Sequence, residues 1–300
     1  ISGLGEQDVL AALQARFDAR QQRLDLTQAP MMRLVHAADP VNQRVVAILQ
    51  FHHLALDHTA MEVIASEMQV LLTGRADQLA AAVPYRNYVA QARLAADEAA
   101  HEVFFRDMLG DLDEPTLPYG LADVQGEGHA IEEAHLGIDT QLALRLREQA
   151  RHLGVSLASL AHLAWARVLG ALANRTDVVF GTVLMGRLQG GAGADRALGV
   201  FINTLPLRID LAVPVAQAVS MAHQRLSALL MHEHASLALA QRCSGVSPSL
   251  PLFSALFNYR HSSPVHSDAA GALQGMRLLG GEERSNYPLT LSVDDHGEGL

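Results

Sequence analysis

Residues Arg44 to Gly74 read RVVAILQFHHLALDHTAMEVIASEMQVLLTG. The opening run, Val45, Val46, Ala47, Ile48, Leu49 and Phe51, is apolar and rich in β-branched side chains, which predicts a buried strand. It breaks off at His52-His53. Leu54-Ala55-Leu56, Asp57 and His58 follow. Thr59 with Glu62 three residues on makes a capping box, so a helix is expected to start there. Met61, Ile64, Met68, Leu71 and Leu72 fall on one helical face, and Gly74 stops the helix. Histidines and an aspartate therefore occupy a turn between a strand and a helix, the kind of anchored loop that commonly holds catalytic groups.

Towards the N-terminus, Asp8–Arg23 is expected to be an amphipathic helix, with Val9, Leu10, Leu13 and Phe17 on one side. Leu24–Pro30 is an extended lead-in, and Met31–Ala37 is a strand turned at Asp39-Pro40. Beyond Gly74, Pro84–Tyr88 opens a helix expected to run to about Leu109. Gly110–Gly128 (GDLDEPTLPYGLADVQGEG) has the Gly, Pro and acidic content of a linker, and the boundary between two domains is placed there. Strands are expected at Glu132–Ile138, Val178–Met185, Val200–Ile209, Leu252–Asn258 and Leu289–Val293. Helices are expected at Thr140–Leu153, Ser156–Ala173 and Val213–His232. Gln189–Ala194 (QGGAGA) reads as a flexible loop without the Lys-Ser/Thr ending of a phosphate loop. Alternating strands and helices give an α/β class with mixed sheets.

The 300 residues are 49% hydrophobic and 18% charged, which suits a protein with a substantial core. A net charge of −10 with no basic stripe argues against nucleic acid as the main partner. A single cysteine, Cys243, excludes an internal disulfide and a cysteine-based zinc site, and fits a reducing, cytoplasmic setting. No stretch has the apolar length of a membrane span. The chain opens on Ile1 without a basic leader, and the expectation is a piece cut from something longer.

For the histidine turn, a metal reading meets an obstacle. The H-x-H-x-D-H pattern of metallo-hydrolases is matched by His53, Asp57 and His58, but Ala55 stands in the second histidine's place. A zinc site short of one ligand is a poor prospect, and His232-Glu233-His234 lies far downstream. No metal is expected. Acyl transfer fits better: a histidine at a strand end accepts or steers the proton of an attacking amine or hydroxyl, and Asp57 serves as a fixed anion that locks the loop.

HHLALDH resembles the HHxxxDG motif of the condensation domains of nonribosomal peptide synthetases, in the chloramphenicol-acetyltransferase-like superfamily. Further segments are similar in the same order: Leu24–Arg33 to the lead-in, and Tyr85–Gln91 to YxDYAxW with Asn87 and Gln91 as departures. Gly181–Arg187 is similar to the Gly-Arg segment, and Leu198–Arg208 to GxFVNTxxxR. His232–Leu237 matches poorly. The resemblance runs from about Leu24 to Asp294. It implies two acetyltransferase-like lobes forming a V, with mixed sheets and flanking helices: a partial N-terminal lobe, 1–118, carrying the HHxxxD loop, and a C-terminal lobe, 119–300. Because the motif begins at residue 52, the opening of the first lobe is expected to be absent.

The implied activity joins a carrier-bound acyl or peptidyl thioester to a carrier-bound aminoacyl thioester. His53 is the central histidine, His52 supports it, and Asp57 pairs with Arg187. Gly186, Asn203 and Thr204 line the substrate tunnel. No cofactor is bound; phosphopantetheine arms present the substrates, and the partners are donor and acceptor carrier domains and an adjacent adenylation domain. His58 replaces the motif's glycine, which opens an alternative in which the domain also dehydrates a Ser or Thr residue. A free-standing acyltransferase and a non-catalytic docking domain are the other readings.

Overall fold

The computed structural model describes residues 9–19, 21–95, 97–126, 131–188, 191, 193–261, 275–281, 285–297 and 299–300. Packing groups them into two compact units, Ile1–Asn87 with Ala192–Phe201, and Tyr88–Gly191 with Ile202–Leu300.

In the first unit, helix α1 (Val9–Arg16) packs on a hairpin of β1 (Met32–Asp39) and β2 (Arg44–Phe51). Leu13 and Val46 are buried at that contact. The hairpin is antiparallel, with Met32 opposite Phe51 and Asp39 opposite Arg44. Asp39 closes its turn by accepting from Asn42 and Arg44, which hold its carboxyl below the usual carboxylate range. Helix α2 (His58–Leu72) follows the histidine turn. Its cap is Asp57, not Thr59: the Asp57 carboxylate accepts from Ala60 N at 2.8 Å, and Glu62 faces His58 instead of closing a capping box. A carboxylate one residue before the first turn satisfies an orphan amide and complements the helix dipole, which outcompetes the Thr59 alternative.

The helix expected from Pro84 to Leu109 is two helices, α3 (Tyr85–Ala95) and α4 (Glu98–Leu109). Asp97 caps the second by accepting from Ala100 N at 3.0 Å. Residues 131–139 are extended without strand pairing, so the expected strand at 132–138 is absent. Its side chains are nearly all exposed, Leu136 at 85% among them, so the segment buries no face against a sheet. Helices α5 (Thr140–Leu153) and α6 (Leu157–Ala173) are capped by Asp139 and Ser156 and end at Gly154 and Asn174, both left-handed. Then come β3 (Asp177–Leu184), β4 (Asn203–Asp210), α7 (Val215–Leu230), a short α8 (Leu237–Arg242) that the sequence pattern did not predict, β5 (Ala255–His261) and β6 (Leu289–Asp295). Half of the expected loop at 189–194, namely residues 189, 190 and 192, lies outside the described residues.

The second unit's sheet has the order β4-β3-β5-β6. β3 is antiparallel to β4 and parallel to β5, and β5 is parallel to β6. This is the expected mixed α/β class. Phe105, Phe180, Leu169, Leu205, Leu207 and Phe257 fill the core between this sheet and helices α4, α6 and α7. Arg208 grips Asp177 with three hydrogen bonds, at 2.9, 3.2 and 2.7 Å, and also bonds Asp111 and the Met108 carbonyl, so the β3–β4 pair is tied to the end of α4. Among the described residues no single helix is long and apolar enough to cross a membrane.

Candidate active site

The first unit brings His52, His53, Asp57 and His58 together on one turn. His52 N donates to Met31 O, extending the hairpin by one rung, and Ala55 N donates back to His52 O at 2.8 Å, so the chain reverses immediately after the strand. The His52 ring accepts from Leu54 N at Nδ1, 3.0 Å, which makes it a brace inside the turn. His53 is half-buried, and its Nδ1 lies 3.2 Å from the Leu56 carbonyl. A carbonyl only accepts, so Nδ1 carries the proton and Nε2 holds the basic lone pair. Phe51 meets the same ring edge-on, with centroids 6.0 Å apart.

Asp57 is 1% exposed. One carboxylate oxygen caps α2; the other accepts from Phe201 N at 3.0 Å, and Asp57 N donates to Gly199 O at 3.3 Å. The fixed anion expected on sequence is therefore held by backbone amides, a strong arrangement for a carboxylate in a buried place. The strap Gly199–Phe201 is a part of the site that sequence reasoning absorbed into a motif without assigning it a role. Tyr85, which opens the YxDYAxW-like segment, donates its hydroxyl to Val200 O and meets Phe201 edge-on at 5.4 Å. His58 is exposed at the first turn of α2, with Nε2 3.4 Å from Glu62.

The second unit holds Gly186, Arg187, Asn203 and Thr204. Leu184 pairs with Asn203 and Val183 with Thr204, so the β3–β4 register puts all four at one end of the sheet. Gly186 has φ +65°, where a glycine is favoured. The Asn203 amide donates to the Glu233 and Ala235 carbonyls at 2.8 and 2.7 Å, and its oxygen accepts from Thr204 N. Asn203 thus clamps the turn that carries His232-Glu233-His234. In that turn His232 Nδ1 meets His101 Nδ1 at 2.8 Å and stacks on Phe104, while Tyr88 meets His234 edge-on. Burial lowers both His101 and His232 below the ordinary histidine value. Among the described residues no group of three or more His, Cys, Asp or Glu side chains is arranged to hold a metal ion.

The turn thus holds a strand-end histidine whose Nδ1 faces a backbone carbonyl, locked in place by a buried carboxylate. The profile described as "Condensation domain" matches residues 3–300. The chain belongs to the condensation domains of nonribosomal peptide synthetases. It is 49% identical to malpinin synthetase of Mortierella alpina over 97% of this chain and 4% of that protein. It is 48% identical to malpibaldin synthetase of the same organism over 96% of this chain and 5% of that protein. The chain thus spans only about a twentieth of the length of these curated relatives. In fold it is similar to the first condensation domain of the calcium-dependent antibiotic synthetase, solved with a substrate analogue. That match has a TM-score of 0.69 at 20% identity, over 98% of this chain and 68% of that one.

Proposed function

We propose that this condensation domain forms a peptide bond between two carrier-bound thioesters. The α-amine of the acceptor aminoacyl thioester attacks the donor's thioester carbonyl. A C–N bond forms, the C–S bond breaks, the donor's sulfur leaves as a thiolate, and the one proton the amine sheds, relayed by solvent or His53, neutralises it to the thiol. The observation that carries this reading is the tautomer of His53: Nδ1 faces the Leu56 carbonyl, which only accepts, so in the neutral ring the basic lone pair sits on Nε2.

An α-amine titrates near ~8, so a useful neutral fraction exists close to pH 7. A thioester is already a reactive electrophile. The remaining barrier is mostly that of bringing two tethered groups together, and orientation alone can lower it by roughly 7–11 kcal/mol. His53 accordingly acts by orienting the amine and steadying the zwitterionic intermediate more than as a strong base. In this reading the substrates arrive on phosphopantetheine arms of donor and acceptor carrier domains, next to an adenylation domain. Arg187 supports the site, and Gly186, Asn203 and Thr204 line the substrate passage, the roles the family resemblance gives them. The dehydration alternative draws no support from His58, whose Nε2 is turned to Glu62.

The test is His53→Ala in the intact module, with mass spectrometry of the carrier-bound species. Dipeptidyl product is expected to form about 10²-fold more slowly or worse. Undiminished condensation would refute the proposal, and loss of water from a Ser- or Thr-loaded carrier would favour the dehydration alternative.

A further inference from the structure

We propose that Tyr85 is a positioning residue for the His53 turn and acts through one peptide plane, Val200–Phe201. The inference rests on the condensation reading of His53. The carbonyl that accepts the Tyr85 hydroxyl and the amide that donates to Asp57 are the two ends of the same peptide group. The chain of contacts is Tyr85 O–H to Val200 O, then Phe201 N–H to Asp57 Oδ2. Asp57 Oδ1 then takes Ala60 N, which starts α2. Asp57 directly follows Leu56, whose carbonyl holds the His53 ring.

Hydrogen bonds at both ends of an amide polarise it in the same sense, so the tyrosine hydroxyl strengthens the amide's hold on the carboxylate as well as fixing its tilt. Gly199 makes the approach possible: it has φ +157°, and a Cβ there would lie 2.2 Å from Tyr85 Cδ2. The ring lies flush on a bare backbone, and its edge meets Phe201. Packing alone would need the ring but not the hydroxyl, which makes the two roles separable.

Tyr85→Phe keeps the ring and removes the hydroxyl. In the intact module, its kcat for condensation is expected to fall roughly 3- to 10-fold with KM for the acceptor carrier unchanged. Combined with Asp57→Asn, which turns an amide NH2 or a weaker acceptor towards Phe201 N, the Tyr85→Phe change is expected to add nothing further. Full additivity, an unaltered kcat for Tyr85→Phe, or a rise in KM alone would overturn the proposal. Amide hydrogen exchange reports without activity: Tyr85→Phe is expected to speed exchange at Phe201 and Ala60 roughly 3- to 10-fold, the loss of about one hydrogen bond. Unchanged protection there overturns the inference even if the wild-type module makes no amide, an outcome that would separately sink the condensation reading.

Discussion

Asp57 carries more of this site than any other single side chain. Its two oxygens serve Ala60 N and Phe201 N, and its own amide serves Gly199 O. Replacing it with alanine removes a helix cap and strands two backbone amides. Asp57→Ala is therefore expected to cost about 2–4 kcal/mol of stability, as well as activity. A urea denaturation curve checks this, and an unchanged midpoint would show that water replaces both contacts without penalty. At this scale the histidine turn was legible in the sequence. His52 and His53 are neighbours, Asp57 follows four residues on, and their local partners Leu54, Leu56 and Ala60 each lie within three residues. Local hydrogen bonding of this kind follows from residue type and spacing. The cap itself was misplaced by two residues because Thr59 and Asp57 both have cap chemistry, and only geometry separates them.

Among the elements, strand β3 is closely packed at Gly181. Gly181 faces β5, where an added Cβ would stand 2.4 Å from Phe253 Cε2 and 2.5 Å from Leu256 Cδ2. Gly181→Ala is expected to force these side chains off their rotamers and to cost about 1–3 kcal/mol. The signature is a lower denaturation midpoint at unchanged slope, since the surface exposed on unfolding is the same. Among the described residues, all six strands and five of the eight α-helices lie close to where apolar periodicity puts them. The exceptions have particular causes. The α3–α4 break falls in an alanine-rich run that favours helix throughout, so Asp97 as a new cap is visible only once Ala100 N is seen bonded to it. The short α8 has too few turns to show a period, and its start depends on Ser236 accepting from Leu239 N.

Across the whole molecule, acid sensitivity is expected to come from buried histidines. His162 lies in the core, with Nδ1 2.6 Å from Ala158 O and Nε2 2.7 Å from the Thr182 hydroxyl. Burial pushes its pKa down to about 4, against a smaller opposing effect of the Ala158 carbonyl. The unfolded chain takes up this proton near pH 6.5 and the folded one only near 4. Stability from this group is thus complete above pH 6.5 and falls between 6.5 and 4, by up to roughly 3 kcal/mol. His101 and His232, also lowered by burial, act in the same direction. Unfolding free energies measured from pH 7.5 to 4 check this, and a flat profile for this window would contradict the assignment. The residue order alone established the α/β class, the family and the histidine turn, because each is written in patterns a few residues long. Folding had to supply the partners of Asp57 and Tyr85, which are 144 and 115 positions away along the chain. No spacing encodes contacts of that range: the strap at Gly199–Phe201 and the turn are neighbours only in the folded chain.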